Sequence, residues 1–217
     1  MTDDLTLDEL RERLAPEIAA NAAFDGWGAE ALELAADALE VDRDVAALAF
    51  AGGAVEMIDA WFAHVDRAML AALPPAELAA MKVRGRIIAL LEIRLAVVAP
   101  DREALRRALA VLALPQNVAR AARLGWRTAD RIWRAAGDAA TDYNHYTKRA
   151  ILLGVYGATV SVFLDDESEG HADTCAFLAR RVDGVMRFEK AKAGFLARSE
   201  RLPSLSRFIG RLRYPVV

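Results

Sequence analysis

Side chains able to carry catalysis are few and scattered. His64, His145 and His171 lie far apart, and none falls four residues from another or three residues after a Glu, so helical zinc and di-iron carboxylate spacings are absent. His171, Asp173 and Cys175 alternate at the end of an acidic run that starts at Asp165, a pattern better explained by a loop entering a helix than by a metal site. No Gly-x-Ser-x-Gly elbow, phosphate-binding glycine loop or dinucleotide fingerprint occurs. Cys175 is the single cysteine, with no basic neighbour in sequence to lower its pKa and no partner for an internal disulfide. No catalytic residue, metal ligand or cofactor is therefore expected, and the weight moves from enzyme to binding protein.

Binding has better candidates. Ile87, Ile88, Leu91, Leu95 and Val98 form one apolar helical face, and Ile151, Leu152, Val155, Tyr156, Thr159, Val162 and Phe163 form another. Helices this apolar are buried on more than one side. They serve either as plain core or as walls of a ligand cavity, since sites in all-helical proteins commonly lie between helices. Gly154, Gly157 and Ala158 suit close packing or space for a ligand. Near the C-terminus, Leu205, Phe208, Ile209 and Leu212 follow i, i+3, i+4, i+7 spacing beside Arg207 and Arg211. A basic amphipathic helix over Ser199 to Tyr214 follows, able to dock on its own domain or to lie in an anionic headgroup layer.

The elements that must position these residues are helices. With 55% apolar and 27% charged residues and a net charge of -3, the 217-residue chain can bury a core, and bulk charge does not make it a nucleic-acid binder. Apolar residues recur at three- and four-residue spacing, as in Leu7, Leu10, Leu14 and Ile18, and no alternating strand is evident. Breaks at Asp25-Gly26, Gly52-Gly53, Pro74-Pro75, Pro100, Pro115, Gly125, Gly137-Asp138, the acidic run and Pro203 predict about nine or ten helices. Pro74-Pro75 reads as a helix start. The first three helices are expected over Leu7–Phe24, Ala29–Leu39 and Asp44–Phe50, the lengths of a helix-turn-helix. No export signal is visible at the N-terminus, and the longest uncharged stretch, Ala150 to Leu164, is 15 residues, so no membrane span is expected.

Charge runs along the chain. Residues 1–50 carry 13 Asp and Glu against 3 Lys and Arg, a net -10, while residues 176–217 carry 10 basic against 3 acidic, a net +7. An acidic helix-turn-helix whose third helix reads Asp44-Val-Ala-Ala-Leu-Ala-Phe lacks the cations and polar side chains that hold phosphates and read bases. The basic end suits an anionic surface.

The densest polar and aromatic run is Trp133-Arg-Ala-Ala-Gly137-Asp138, then Thr141-Asp142-Tyr143-Asn144-His145-Tyr146-Thr147-Lys148-Arg149, followed by Val155-Tyr156. Asp138 and Asp142 can cap the helix that follows. The run resembles the accessory lipid-binding family of ubiquinone biosynthesis, whose pattern is Trp, two residues, Ala-Gly-Asp, then Thr-Asp-x-Asn-Trp-Tyr-Thr-x-Arg and Val-Tyr. The resemblance extends through Gly26-Trp27, Glu30-Ala31-Leu32, Phe50 to Gly53, Lys82-Val-Arg84, Pro115-Gln-Asn117, Thr174, Phe177-Leu178 and Arg181-Val182.

That resemblance implies an all-α, TetR-regulator-like bundle with a degenerate helix-turn-helix part over 1–54, a lipid-binding core over 55–198 and a membrane-contact helix over 199–217. It implies a non-catalytic protein, cytoplasmic and peripheral on the inner face of the membrane, that delivers a quinone precursor to the di-iron demethoxyubiquinone hydroxylase. The ligand implied is an isoprenoid quinone precursor or a phospholipid, held by Ile88, Leu91, Leu95, Leu152, Val155, Tyr156, Thr159 and Phe163. Asp142, His145, Tyr146 and Arg149 are implied to meet the hydroxylase. Leu205, Arg207, Phe208, Ile209, Arg211 and Leu212 are implied to touch the membrane. A homodimer through two late helices is also implied. Two positions depart from the pattern: His145 replaces the family's Trp, with less apolar area and a titratable ring, and Ala51 replaces a Pro. A ligand-responsive TetR-type repressor is the alternative, opposed by the acidic N-terminal part. An enzyme acting on the quinone head group lacks an acid-base pair at sensible spacing.

Overall fold

The computed structural model describes residues 5–139 and 143–201, with side chains for all of these except 143–144 and 189–201. Among the described residues every regular element is helical: α1 (Leu7–Asp25), α2 (Ala29–Ala38), α3 (Arg43–Ala49), α4 (Ala54–Ala72), α5 (Pro75–Ala80), α6 (Val83–Val98), α7 (Arg102–Leu112), α8 (Val118–Ala135), α9 (Tyr143–Asp165) and α10 (Ala172–Arg201). Single 3₁₀ turns precede α7, α8 and α10.

Local chemistry explains the starts. Thr6 closes a capping box on α1, its hydroxyl accepting from Glu9 N–H at 3.3 Å while the Glu9 carboxylate accepts from Thr6 N–H at 2.9 Å. Asp42 caps α3 by accepting from the N–H groups of Asp44 and Val45 at 2.8 and 3.1 Å. Pro75 opens α5 directly after Pro74, as the proline pair predicts. Gly26 and Gly53, with φ of 79° and 67°, turn the chain out of α1 and into α4 through backbone that other residues resist.

The chain divides into two compact units, Met1–Leu178 and Ala179–Val217. In the first, α1 packs on α2, α4 and α7, and a core of Leu14, Ile18, Ala31, Ala35, Ala46, Phe50, Ile58 and Trp61 binds the helix-turn-helix-like part to the rest. Trp27 anchors this junction: its ring lies 5.3 Å from that of Trp61, and its indole N–H donates to Ala104 O at 2.9 Å. The second unit is described as the helical continuation of α10 as far as Arg201.

Three expectations need correction. Gly125 is not a break; α8 passes through it uninterrupted. No new helix starts at Ser199, since α10 continues through it. Finally, α9 is long and apolar enough to cross a membrane over His145–Asp165, because the helix extends beyond the uncharged stretch at both ends. Here it packs against α6, α7 and α8.

Candidate functional site

Two charged residues stand on faces that are otherwise apolar. Asp66 lies on the α4 face with Phe62, Val65 and Met69, and Arg94 lies among Leu90, Leu91, Leu95 and Val98 on α6. Charge in such a place is costly unless matched and hydrogen-bonded. Both are buried, and Arg94 Nε donates to Asp66 Oδ1 at 3.0 Å. From α8, Thr128 Oγ1 donates to both Asp66 oxygens at 3.2 Å and Arg131 pairs with Oδ2 at 3.1 Å. From α9, the Tyr156 hydroxyl accepts from Arg94 Nη1. Four helices thus converge on one buried polar cluster.

The Arg94 guanidinium also lies over two aromatic rings, 5.5 Å from the Phe62 centroid and 5.1 Å from that of Tyr156. Burial opposes its charge, but Tyr156 and Asp66 outweigh that effect and hold its pKa above the ordinary value. Burial pushes the Tyr156 phenol up as well, so it keeps its proton at neutral pH.

Beside the cluster is a half-open cavity of about 360 Å³, bounded by Arg94, Thr128 and Tyr156, with Phe62 from α4, Leu105, Leu109 and Leu112 from α7, and Leu153, Gly157 and Val160 from α9. The volume falls at the lower end of ordinary small-molecule sites, and the composition, apolar with a few convergent polar groups, matches them. Gly125 sets its width: a Cβ there would come within 2.5 Å of Leu153 Cδ1, so glycine lets α8 and α9 approach while Leu153 keeps its place in the wall.

The turn from α8 to α9 is held by a second set of ion pairs. Arg149, buried, donates to Asp130 at 2.7 Å, to Asp138 at 3.2 Å and to its own helix at His145 O. Lys148 pairs with Asp138 at 2.6 Å and lies over the Trp133 ring, whose indole N–H donates to Lys148 O at 3.0 Å. Burial would raise the Asp138 pKa, yet Lys148 and Arg149 outweigh it and hold the carboxyl below its usual range. Outside this lock lie three rings: Trp126 is 6.4 Å from His145 and 5.9 Å from Tyr146 between centroids, and Tyr146 is 61% exposed. A shallow surface cleft of about 460 Å³ adjoins them, lined by Arg123, Trp126, Arg127, Asp130, Arg134 and His145.

Comparison with known proteins brings these regions together. The crystal structure of the TetR transcriptional regulator from Nitrosomonas europaea ATCC 19718 superposes with a TM-score of 0.65 and 27% identity, over 81% of this chain and 97% of that one. The fold is TetR-like. The sequence model of the COQ9 family matches residues 118–189, which contain all of α8 and α9 and the whole Trp133-to-Arg149 run. Over these residues the chain is similar to the COQ9 family. It is 34% identical to the rat protein named ubiquinone biosynthesis protein COQ9, mitochondrial, over 74% of this chain and 54% of that one. To the bovine protein of the same name it is 31% identical, over 82% and 58%. The chain therefore spans a little over half the length of the COQ9 relatives it matches.

The eight residues expected to hold lipid fall into two groups. Tyr156 lines the cavity. Leu91, Leu95, Leu152, Thr159 and Phe163 are buried and Ile88 and Val155 half-buried, all outside its lining; Thr159 donates to Val155 O within α9. The wall on α9 is instead the adjoining strip of Leu153, Gly157, Val160 and Ser161. Arg94, Thr128, Phe62 and the α7 leucines were missed, although a lone Arg and a lone Asp on apolar faces are a legible signal of a paired interior charge. Of the partner residues, His145 and Tyr146 share the aromatic patch, Arg149 is in the interior lock, and Asp142 lies outside the described residues. Trp126 of that patch was also missed. The membrane residues Leu205, Arg207, Phe208, Ile209, Arg211 and Leu212 lie outside the described residues. Among the described residues no three His, Cys, Asp or Glu side chains converge as metal ligands. His171 packs edge-on against Phe163 at 4.9 Å, in the 3₁₀ turn that leads into α10.

Proposed function

We propose that this protein is a non-catalytic accessory factor of ubiquinone biosynthesis that holds an isoprenoid quinone precursor and presents it to the di-iron demethoxyubiquinone hydroxylase at the membrane. The observation that carries this reading is the apolar cavity floored by Arg94 and Tyr156, in a chain similar to ubiquinone biosynthesis proteins. An isoprene unit removed from water contributes roughly 25 cal/mol per Å² of buried apolar area, enough to offset part of the attraction to lipid tails that the ligand forgoes on leaving a bilayer. The hydroxylase contact is assigned to His145, Tyr146 and Trp126, whose rings are clustered while Arg149 and Asp130 beneath them are paired with each other. The C-terminal basic segment supplies the membrane contact, on the inner face of the membrane, and the protein acts as a homodimer; a phospholipid is the other ligand class the cavity accepts.

Native mass spectrometry with lipid extraction of the purified protein tests the reading. Co-purifying isoprenoid or acyl lipid is expected, together with retention on vesicles containing anionic lipid. A lipid-free protein that ignores such vesicles would end it. Sedimentation checks the dimer.

The TetR-type regulator favours a second reading, a DNA-binding switch. Its difficulty lies in α3: besides Arg43, the exposed side chains of the would-be reading helix are Asp44, Val45, Ala47 and Leu48, and Arg43, the one cation, is bound to Glu33 and Asp37. Salt-dependent binding to duplex DNA at physiological ionic strength would restore it.

A further inference from the structure

The polar floor of the cavity has a directional chemistry of its own. Asp66 is saturated: its two oxygens accept from Arg94 Nε, Thr128 Oγ1 and Arg131. Arg94 spends a second donor on the Tyr156 hydroxyl oxygen. The hydroxyl proton of Tyr156 has no acceptor among the described residues, and Tyr156 is part of the cavity lining. A hydroxyl whose oxygen already accepts from a cation is polarised and becomes a stronger donor.

We propose that Tyr156, held and polarised by Arg94, is the hydrogen-bond donor that selects ligands bearing an uncharged oxygen acceptor in this cavity. This rests on the reading of the cavity as the ligand site and adds to it the head-group chemistry and the residue that recognises it. A quinone carbonyl fits: it takes one hydrogen bond from Tyr156, its ring lies against Phe62, and the apolar remainder meets Leu105, Leu109 and Val160. A carboxylate fits worse, because Arg94, the cation in the lining, is already matched by Asp66, and Arg131 pairs with Asp66 from outside the lining, so a second anion would be desolvated beside a like charge. A hydrocarbon without oxygen leaves the Tyr156 donor unmet once water is displaced.

Equilibrium dialysis of the full chain with three probes of similar size tests this: 2-prenyl-1,4-benzoquinone, prenylbenzene and geranic acid. The wild type should bind the quinone about tenfold more tightly than prenylbenzene, the worth of one well-made hydrogen bond. Tyr156→Phe, which keeps the ring, should lose that tenfold for the quinone and leave prenylbenzene within about twofold, with circular dichroism confirming the fold. Infrared spectra provide the readout that packing would not move: the carbonyl stretch of bound quinone should shift to lower wavenumber in the wild type, and an unshifted band overturns the proposal even if the variant does not fold. Equal binding of quinone and prenylbenzene, or equal losses of both in Tyr156→Phe, overturns the donor role and leaves the cavity as a ligand site. Tightest binding by geranic acid overturns it in favour of an anion site. Failure of all three probes to bind removes the ligand-site reading itself.

Discussion

Arg43 in the helix-turn-helix-like part and Arg94 in the cavity wall each hold carboxylates at hydrogen-bond distance, yet the first side chain is 56% exposed and the second 2%. Water can replace either partner of the first. Nothing replaces the partners of the second, which are set by four converging helices. The same pairing is thus decoration on α2 and α3 and a structural commitment between α4, α6, α8 and α9. The difference teaches where each region can change: the helix-turn-helix-like part can lose its exposed pairs, whereas the cavity floor holds its polarity.

The largest effect should come from breaking the buried side of this comparison. Asp66→Ala leaves Arg94 and Arg131 without their anion, and loss of one partner of a buried pair costs about 3–5 kcal/mol. In a protein of this size, a melting temperature lower by roughly ten degrees is expected in a thermal scan. The double change Asp66→Leu with Arg94→Met should recover much of that loss, because a matched apolar pair often replaces a buried ion pair without penalty. A double variant as unstable as the single would show that the cluster is needed for the fold itself.

Gly125→Ala comes next. The added methyl turns Leu153 out of its place, and the cavity is the space beside it. Quinone-probe binding should fall severalfold while the melting temperature moves by only a few degrees, since Ala gains about 1 kcal/mol of helix propensity over Gly. Unchanged affinity would place the ligand elsewhere.

A smaller effect appears in acid. Asp166 accepts hydrogen bonds from the hydroxyl and N–H groups of Ser168 and Thr174 at the start of α10, which hold its carboxyl well below the usual range. A carboxyl depressed on folding contributes stability that is present above its unfolded pKa, near 3.9, and lost as the pH falls from there through the folded value. Asp166→Asn should therefore flatten the acid limb of a melting-temperature profile below about pH 4. An unchanged limb would reassign acid sensitivity to the Asp138 lock.

Arg43→Gln should do least. Its pairs are with solvated Glu33 and Asp37, so the melting temperature should stay within the error of the scan. A clear drop would mean that the helix-turn-helix-like part relies on this pair and would erase the contrast.

Legibility in the sequence follows the same divide. The limits of α1, α2 and α3 lie within a residue or two of their periodicity, because caps and glycine turns are local signals, and Pro74-Pro75 marks α5 for the same reason. Gly125 misled, since a glycine inside a helix reads as a break until the neighbouring helix that requires it is known. Periodicity correctly marked Leu91, Leu95, Leu152 and Phe163 as interior. It could not say which interior strip borders a void, because that depends on the packing of α7 and α8 against α9. Arg149 looked like a surface contact in its polar run, and only the position of Asp130 on the preceding helix shows it to be internal.

Tyr146 and Tyr156 stand ten residues apart on α9, a rise of about 15 Å along one rigid rod. A hydroxylase seated on the aromatic patch would thus have its contact point within the length of a few isoprene units from the cavity floor. On the proposed function, the transfer path would be a short slide along a single helix, its length fixed by helical geometry.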